Sequence, residues 1–77
     1  MHNLKIYYFI DEFNRQEIQK LNKNIALIYR NYKGKYNLKL IKKIRDLCLK
    51  QHRKFYISSN LKIAINLNLD GVYIPAF

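Results

Sequence analysis

Apolar residues along this chain recur at two spacings. Short runs rich in β-branched and aromatic residues occupy positions 5–10, 25–30, 55–57 and 72–74. Between them, apolar positions return every three or four residues, the period of one helix face. The pattern predicts strand, helix, strand, helix, strand, helix, strand. The first run is continuous, as in a strand covered on both faces, and it closes at Asp11-Glu12. Asn14 is placed to cap the first helix, with Glu17 three residues on completing a capping box and Ile18 and Leu21 on one face. Asn22 to Asn24 ends it. After a loop from Asn31 to Tyr36, Asn37 caps a second helix whose stripe is Leu38, Ile41, Ile44, Leu47 and Cys48, with lysines opposite. The positive segment from Gln51 to Lys54 suits the negative end of that helix. Ser58-Ser59-Asn60 offers a turn and a cap for a short third helix over 61–67, with Leu61, Ala64 and Ile65 as its buried face. Pro75 cannot donate to a ladder and closes the fourth strand.

Strands alternating with helices predict an α/β fold with a parallel sheet. Parallel strands need crossovers of one hand, so three successive βαβ units build a four-stranded arc with its helices on one side. Such an arc is half of a (β/α)8 TIM barrel, a fold of about 250 residues. Residues 1–77 are thus expected to be a single partial domain, the N-terminal half of a barrel. The uncovered sheet face and open edges predict a missing C-terminal half or a homodimer that covers them.

Charge adds one feature. Lys and Arg number 15 against five Asp and Glu, for a net charge of +10. Residues 37–54 hold seven basic side chains and one acidic, so most of the excess lies in that segment. A basic module for nucleic acid, using Lys39, Lys42, Lys43, Lys50 and Arg53, is the alternative this raises. A general bias toward Lys, Asn and Ile, which number eleven, nine and eleven, accounts for the same charge as a solvated face. The longest apolar run has five residues, far short of the roughly 20 needed to span a bilayer, and no signal-peptide pattern leads the chain. A cytoplasmic protein is expected.

In parallel α/β folds, ligands gather outside the carboxyl ends of the strands. Those ends are Asp11-Glu12, Arg30 to Lys33, Ser58 to Asn60 and the residues after Ile74. Arg30 offers a fork of donors suited to phosphate, and Ser58 and Ser59 offer hydroxyls next to the third helix's N-terminus. Dinucleotide, P-loop and nucleophile-elbow motifs are absent, and the two glycines, Gly34 and Gly71, could not build the first two. Cys48, alone on an apolar stripe, reads as a buried small hydrophobe. His2 and His52 have no ligand partners at zinc spacing. Of seven tyrosines, Tyr7, Tyr8, Tyr29, Tyr56 and Tyr73 fall on strands, where packing accounts for them.

Several of these segments together resemble one family. Ile6-Tyr7-Tyr8-Phe9-Ile10-Asp11, the strand-end Arg30, the run Ile44 to Cys48, Phe55 to Asn60, Ile63-Ala64 and Asp70-Gly71-Val72-Tyr73-Ile74 are similar to the N-terminal half of thiamine phosphate synthase and its TenI relatives. The likeness spans essentially the whole chain. It implies a (β/α)8 barrel that joins a pyrimidine diphosphate to a thiazole phosphate, releasing pyrophosphate with Mg²⁺. Arg30 stands at the arginine of the family's Gln-x-Arg-x-Lys strand, which contacts the diphosphate; the Gln position is Ile28 and the Lys position Tyr32, with Lys33 one step on. The family's Asn-Asp pair is here Ser58-Ser59, and its strand-four His is Tyr73. The expectation is a diverged member, or one inactive as this short chain, that recognises a phosphorylated small molecule through Arg30, Lys33, Ser58 and Ser59.

Overall fold

The computed structural model describes residues 6–31 and 34–75. Its elements are β1 (Ile6–Ile10), α1 (Arg15–Lys20), β2 (Ile25–Tyr29), α2 (Leu38–Gln51), β3 (Phe55–Ser58), α3 (Leu61–Asn66) and β4 (Gly71–Tyr73). All four strands are parallel and stand in chain order, β1-β2-β3-β4. Each helix begins as its sequence dictates, because an asparagine side chain accepts an otherwise unpaired N–H of the first turn. Asn14 takes the N–H of Glu17, Asn37 that of Leu40 and Asn60 that of Ile63, at 3.1, 3.1 and 2.9 Å. Helix α2 ends at His52, whose N–H meets the carbonyls of Cys48 and Leu49 and whose left-handed conformation (φ 56°) turns the next N–H, that of Arg53, back onto the Cys48 carbonyl at 2.9 Å.

The helices share one face of the sheet. Ile18 of α1, Ile41, Ile44, Leu47 and Cys48 of α2 and Ala64 of α3 form a single buried cluster with Leu27 and Tyr29 of β2 and Phe55 and Ile57 of β3. The strand residues alternate, as a sheet covered by helices on that side requires. Burial of each Leu or Ile here contributes about 1.5–3 kcal/mol. The α3 face differs from expectation: Ala64 and the following Leu67 turn inward, while Leu61 and Ile65 stay exposed. The link from β3 to this short helix passes through Ser59 at φ 57°. Strand β1 also differs. It is an edge strand with one neighbour, and Ile6, Tyr7 and Phe9 are exposed, whereas the central β2 is buried almost throughout.

Two side chains hold the amino ends of the strands together. Arg53 was read from sequence as a surface cation and is instead 3% exposed. Its guanidinium donates to the carbonyls of Ile18, Leu21, Asn22 and Ile25 and to Gln51 Oε1, at 2.7–3.1 Å. It gathers the end of α1 and the start of β2 onto the end of α2. Asp70 accepts from the N–H of Phe55 at 2.8 Å and returns its own N–H to the Phe55 carbonyl at 2.9 Å, aligning β4 on β3.

The helix-free face is lined by the other strand residues: Tyr7 and Phe9, Ala26 and Ile28, Tyr56 and Ser58, Gly71 and Tyr73. Ile28 is fully buried although no helix covers it, and two aromatic pairs span this face. Tyr7 meets Tyr56 edge-on at 6.0 Å, and Phe9 meets Tyr73 at 5.4 Å. Phe9 and Tyr73 belong to opposite edge strands, which a flat sheet would hold three spacings, roughly 14 Å, apart. Their contact requires the sheet to roll toward this face. Gly71 lets it do so, since a Cβ there would come within 3.2 Å of the Tyr56 ring.

Candidate phosphate-binding rim

The site follows from where each strand stops. The N–H of Arg30 donates to the Ile10 carbonyl at 2.9 Å, carrying the β1–β2 ladder one residue beyond β2. Its side chain therefore falls on the same face as Ile28, and its guanidinium carbon lies 3.9 Å from the centre of the Phe9 ring. Stacking of this kind orients the planar cation at a strand end without discharging it. Arg30 lines a depression of about 170 Å³ with Phe9, Ile10 and Asp11.

Ser58 is the last residue of β3, one step past the Tyr29↔Ile57 pair, so it lies beside Arg30 on the neighbouring strand and on the same face. It is buried, and its carbonyl accepts the Tyr36 hydroxyl at 2.6 Å. That bond fastens the loop after β2 to the end of β3. Burial of Tyr36 and the neighbouring Tyr29 push its pKa above the usual 10.0. Ser59 is exposed in the left-handed region, with its N–H donated to the Tyr73 carbonyl at 2.9 Å. The register thus sets Arg30 and Ser58 at adjacent positions on one face, with Ser59 beyond them at the turn, and the depression beside Arg30 is lined by neither serine. Lys33 lies outside the described residues.

The end of β3, where the resemblance sets a metal-binding carboxylate, does not fit a protein-held Mg²⁺, and the carboxylate beside Arg30 is that of Asp11, after β1. Such an ion needs hard oxygen ligands, carboxylates above all, and the two positions at the end of β3 offer hydroxyls, one of them buried. Among the described residues no three His, Cys, Asp or Glu side chains gather as a metal site. Nor is Cys48 a nucleophile: it is buried on the helix side, and desolvation pushes its thiol up to about 12. His52 is exposed, and His2 lies outside the described residues.

The tyrosines were read from sequence as packing residues, and they divide between two layers. Tyr29 belongs to the helix-side core, whereas Tyr7, Tyr56 and Tyr73 build the aromatic layer beneath the rim. The signal for that layer was the parity of aromatic positions along each strand. The Tyr36 latch had none, because a loop tyrosine carries no periodicity.

Comparison with known proteins yields no match to any family model, curated protein or solved structure. Among the described residues no helix is long and apolar enough to cross a membrane.

Proposed function

We propose that the chain is half of a (β/α)8 barrel that recognises a phosphorylated small molecule at its carboxyl rim, as a diverged relative of thiamine phosphate synthase and TenI. One observation carries the reading. In an eight-stranded barrel of shear eight, neighbouring strands are offset by one residue at equal height, so layers are filled from alternate strands. Through Ile28, the register mate of Tyr56 on β1 is Phe9. Yet the ring at 6.0 Å from Tyr56 is that of Tyr7, two residues earlier. Two strands and two residues is the offset of a barrel layer. The reading makes Tyr7 and Tyr56 half of one layer, and Ile28 and Tyr73 half of another.

The rim of such a barrel gathers anions. Arg30 supplies the permanent charge and Ser58 and Ser59 the neutral donors, and Lys33, three residues on in the sequence, would add a second cation. Departure of a diphosphate calls for strong charge neutralisation, and one arginine with two serines supplies recognition rather than turnover. The test is calorimetric titration of the chain with pyrophosphate, at constant ionic strength. Arg30→Ala should weaken binding by roughly 10- to 150-fold, the equivalent of about 1.5–3 kcal/mol for a charged hydrogen bond. Unchanged affinity would remove Arg30 from the site, and no thiamine phosphate formation is expected of the chain alone.

On α2, Lys39, Lys42, Lys43 and Lys50 are exposed as a solvated face, and Arg53 is committed to the interior. No specific feature favours the nucleic-acid reading.

A further inference from the structure

We infer that two copies of this chain close one barrel about a two-fold axis, β4 of each pairing in parallel with β1 of the other. The inference rests on the half-barrel reading and adds its partner. Three features point to a second copy. First, the exposed large apolar residues collect where the copies would meet. Ile6 on β1 is 53% exposed and Ile74 after β4 is 67% exposed; Leu61 and Ile65, on the helix packed against β4, are 61% and 67%. Tyr7 and Phe9 face the interior that the copy would fill. Among the described residues eight large apolar side chains are exposed, and of these only Leu38 and Leu49 lie elsewhere.

Second, the register closes. Carrying the one-residue offset on from β4 to the β1 of a copy sets Val72 against the copy's Ile6, Tyr73 against its Tyr7 and Ile74 against its Tyr8. Four strands contribute an even offset, so inward residues meet inward ones and helix-side residues meet helix-side ones. An odd offset would turn every side chain of the joint to the wrong face. The aromatic layers leave room for the copy's rings, since Ala26 and Gly71 alternate with the large residues.

Third, charge permits the contact despite the net +10. Residues 6–13 carry two acidic and no basic side chains, and residues 61–75 carry one of each. The lysine-rich α2 packs over the central strands β2 and β3, away from both edges. Pairing would bring two Arg30 side chains onto one rim.

Sedimentation of the full chain across a concentration range should give twice the chain mass. Ile74→Lys and Ile6→Lys should each weaken association tenfold or more with unchanged far-ultraviolet circular dichroism, and Leu49→Lys, off the joint, should leave it intact. In a Cys48→Ala background, oxidation should link Ile6→Cys with Val72→Cys between copies, while Val72→Cys alone stays unlinked. A monomer at all concentrations would overturn the inference and assign the open edges to different strands, and so would Val72→Cys linking to itself, the mark of antiparallel edges. Pyrophosphate titration of the Ile74→Lys variant separates the two readings: Arg30-dependent binding in a chain that never pairs keeps the phosphate reading and removes this one.

Discussion

Replacing Arg53 by alanine tests whether one buried cation holds three segments together. Its five N–H donors meet five acceptors between 2.7 and 3.1 Å, four of them main-chain carbonyls 28 to 35 residues away. At about 1.5–3 kcal/mol for each charged hydrogen bond, simple addition would reach roughly 8–15 kcal/mol. A chain of this length has only about 4–12 kcal/mol of stability, so addition overshoots. Desolvating the guanidinium costs several kcal/mol and offsets much of the sum, leaving a mutational loss of about 3–5 kcal/mol. Each kcal/mol moves the midpoint of a small domain by about 4–8 °C, so Arg53→Ala should melt roughly 12–40 °C lower. Arg53→Lys keeps the charge with three donors and should fall between. Thermal and urea unfolding followed by circular dichroism would measure this, with the exposed Lys50→Ala as control. An Arg53→Ala protein within about 1 kcal/mol of the parent would refute the reasoning.

Cys48 and Tyr29 give two further predictions. The Cys48 thiol is held protonated to about 12 against an ordinary 9.0, so its stabilising effect is complete below pH 9 and is lost as pH rises toward 12. Between pH 8 and about 10.5 the parent should lose roughly 2 kcal/mol more than Cys48→Ala in urea titrations, and equal losses would contradict the burial argument. At pH 8 the native thiol should resist a disulfide reagent that reacts at once in urea. The hydroxyl of Tyr29 is buried without a hydrogen-bond partner, while its ring packs on Tyr36 at 5.5 Å. Tyr29→Phe keeps the ring and should gain up to about 1–3 kcal/mol, and a loss of more than about 1 kcal/mol would mean that the hydroxyl is bonded after all.

Periodicity was enough to read the element order and each cap, because Asn14, Asn37 and Asn60 satisfy local needs with local residues. The α2 stripe was equally legible, with Ile41, Ile44, Leu47 and Cys48 all buried. Arg53 was not, since the carbonyls that bury it come from residues 18 to 25 and nothing in its own neighbourhood announces them. On α3, six residues are too few for spacing to fix which face turns inward, and Leu61 and Ile65 were assigned to the wrong one. At the rim, Arg30 and Ser58 could be placed at strand ends, but their common face depends on register. The aromatic layer depends on the roll of the sheet as well, a property of four strands together.

The last strand is only three residues long and would ordinarily fray. Here the Asp70 carboxylate pegs its start from outside the ladder, and the Ser59 amide on the Tyr73 carbonyl completes the last ladder pair, Ser58 with Tyr73. Pinned this way, its outward amides form a straight, persistent template rather than a flickering one. Slow hydrogen exchange should therefore begin beside the Asp70 clamp, and a visiting strand would find its docking edge already ordered, with little entropy left to lose on arrival.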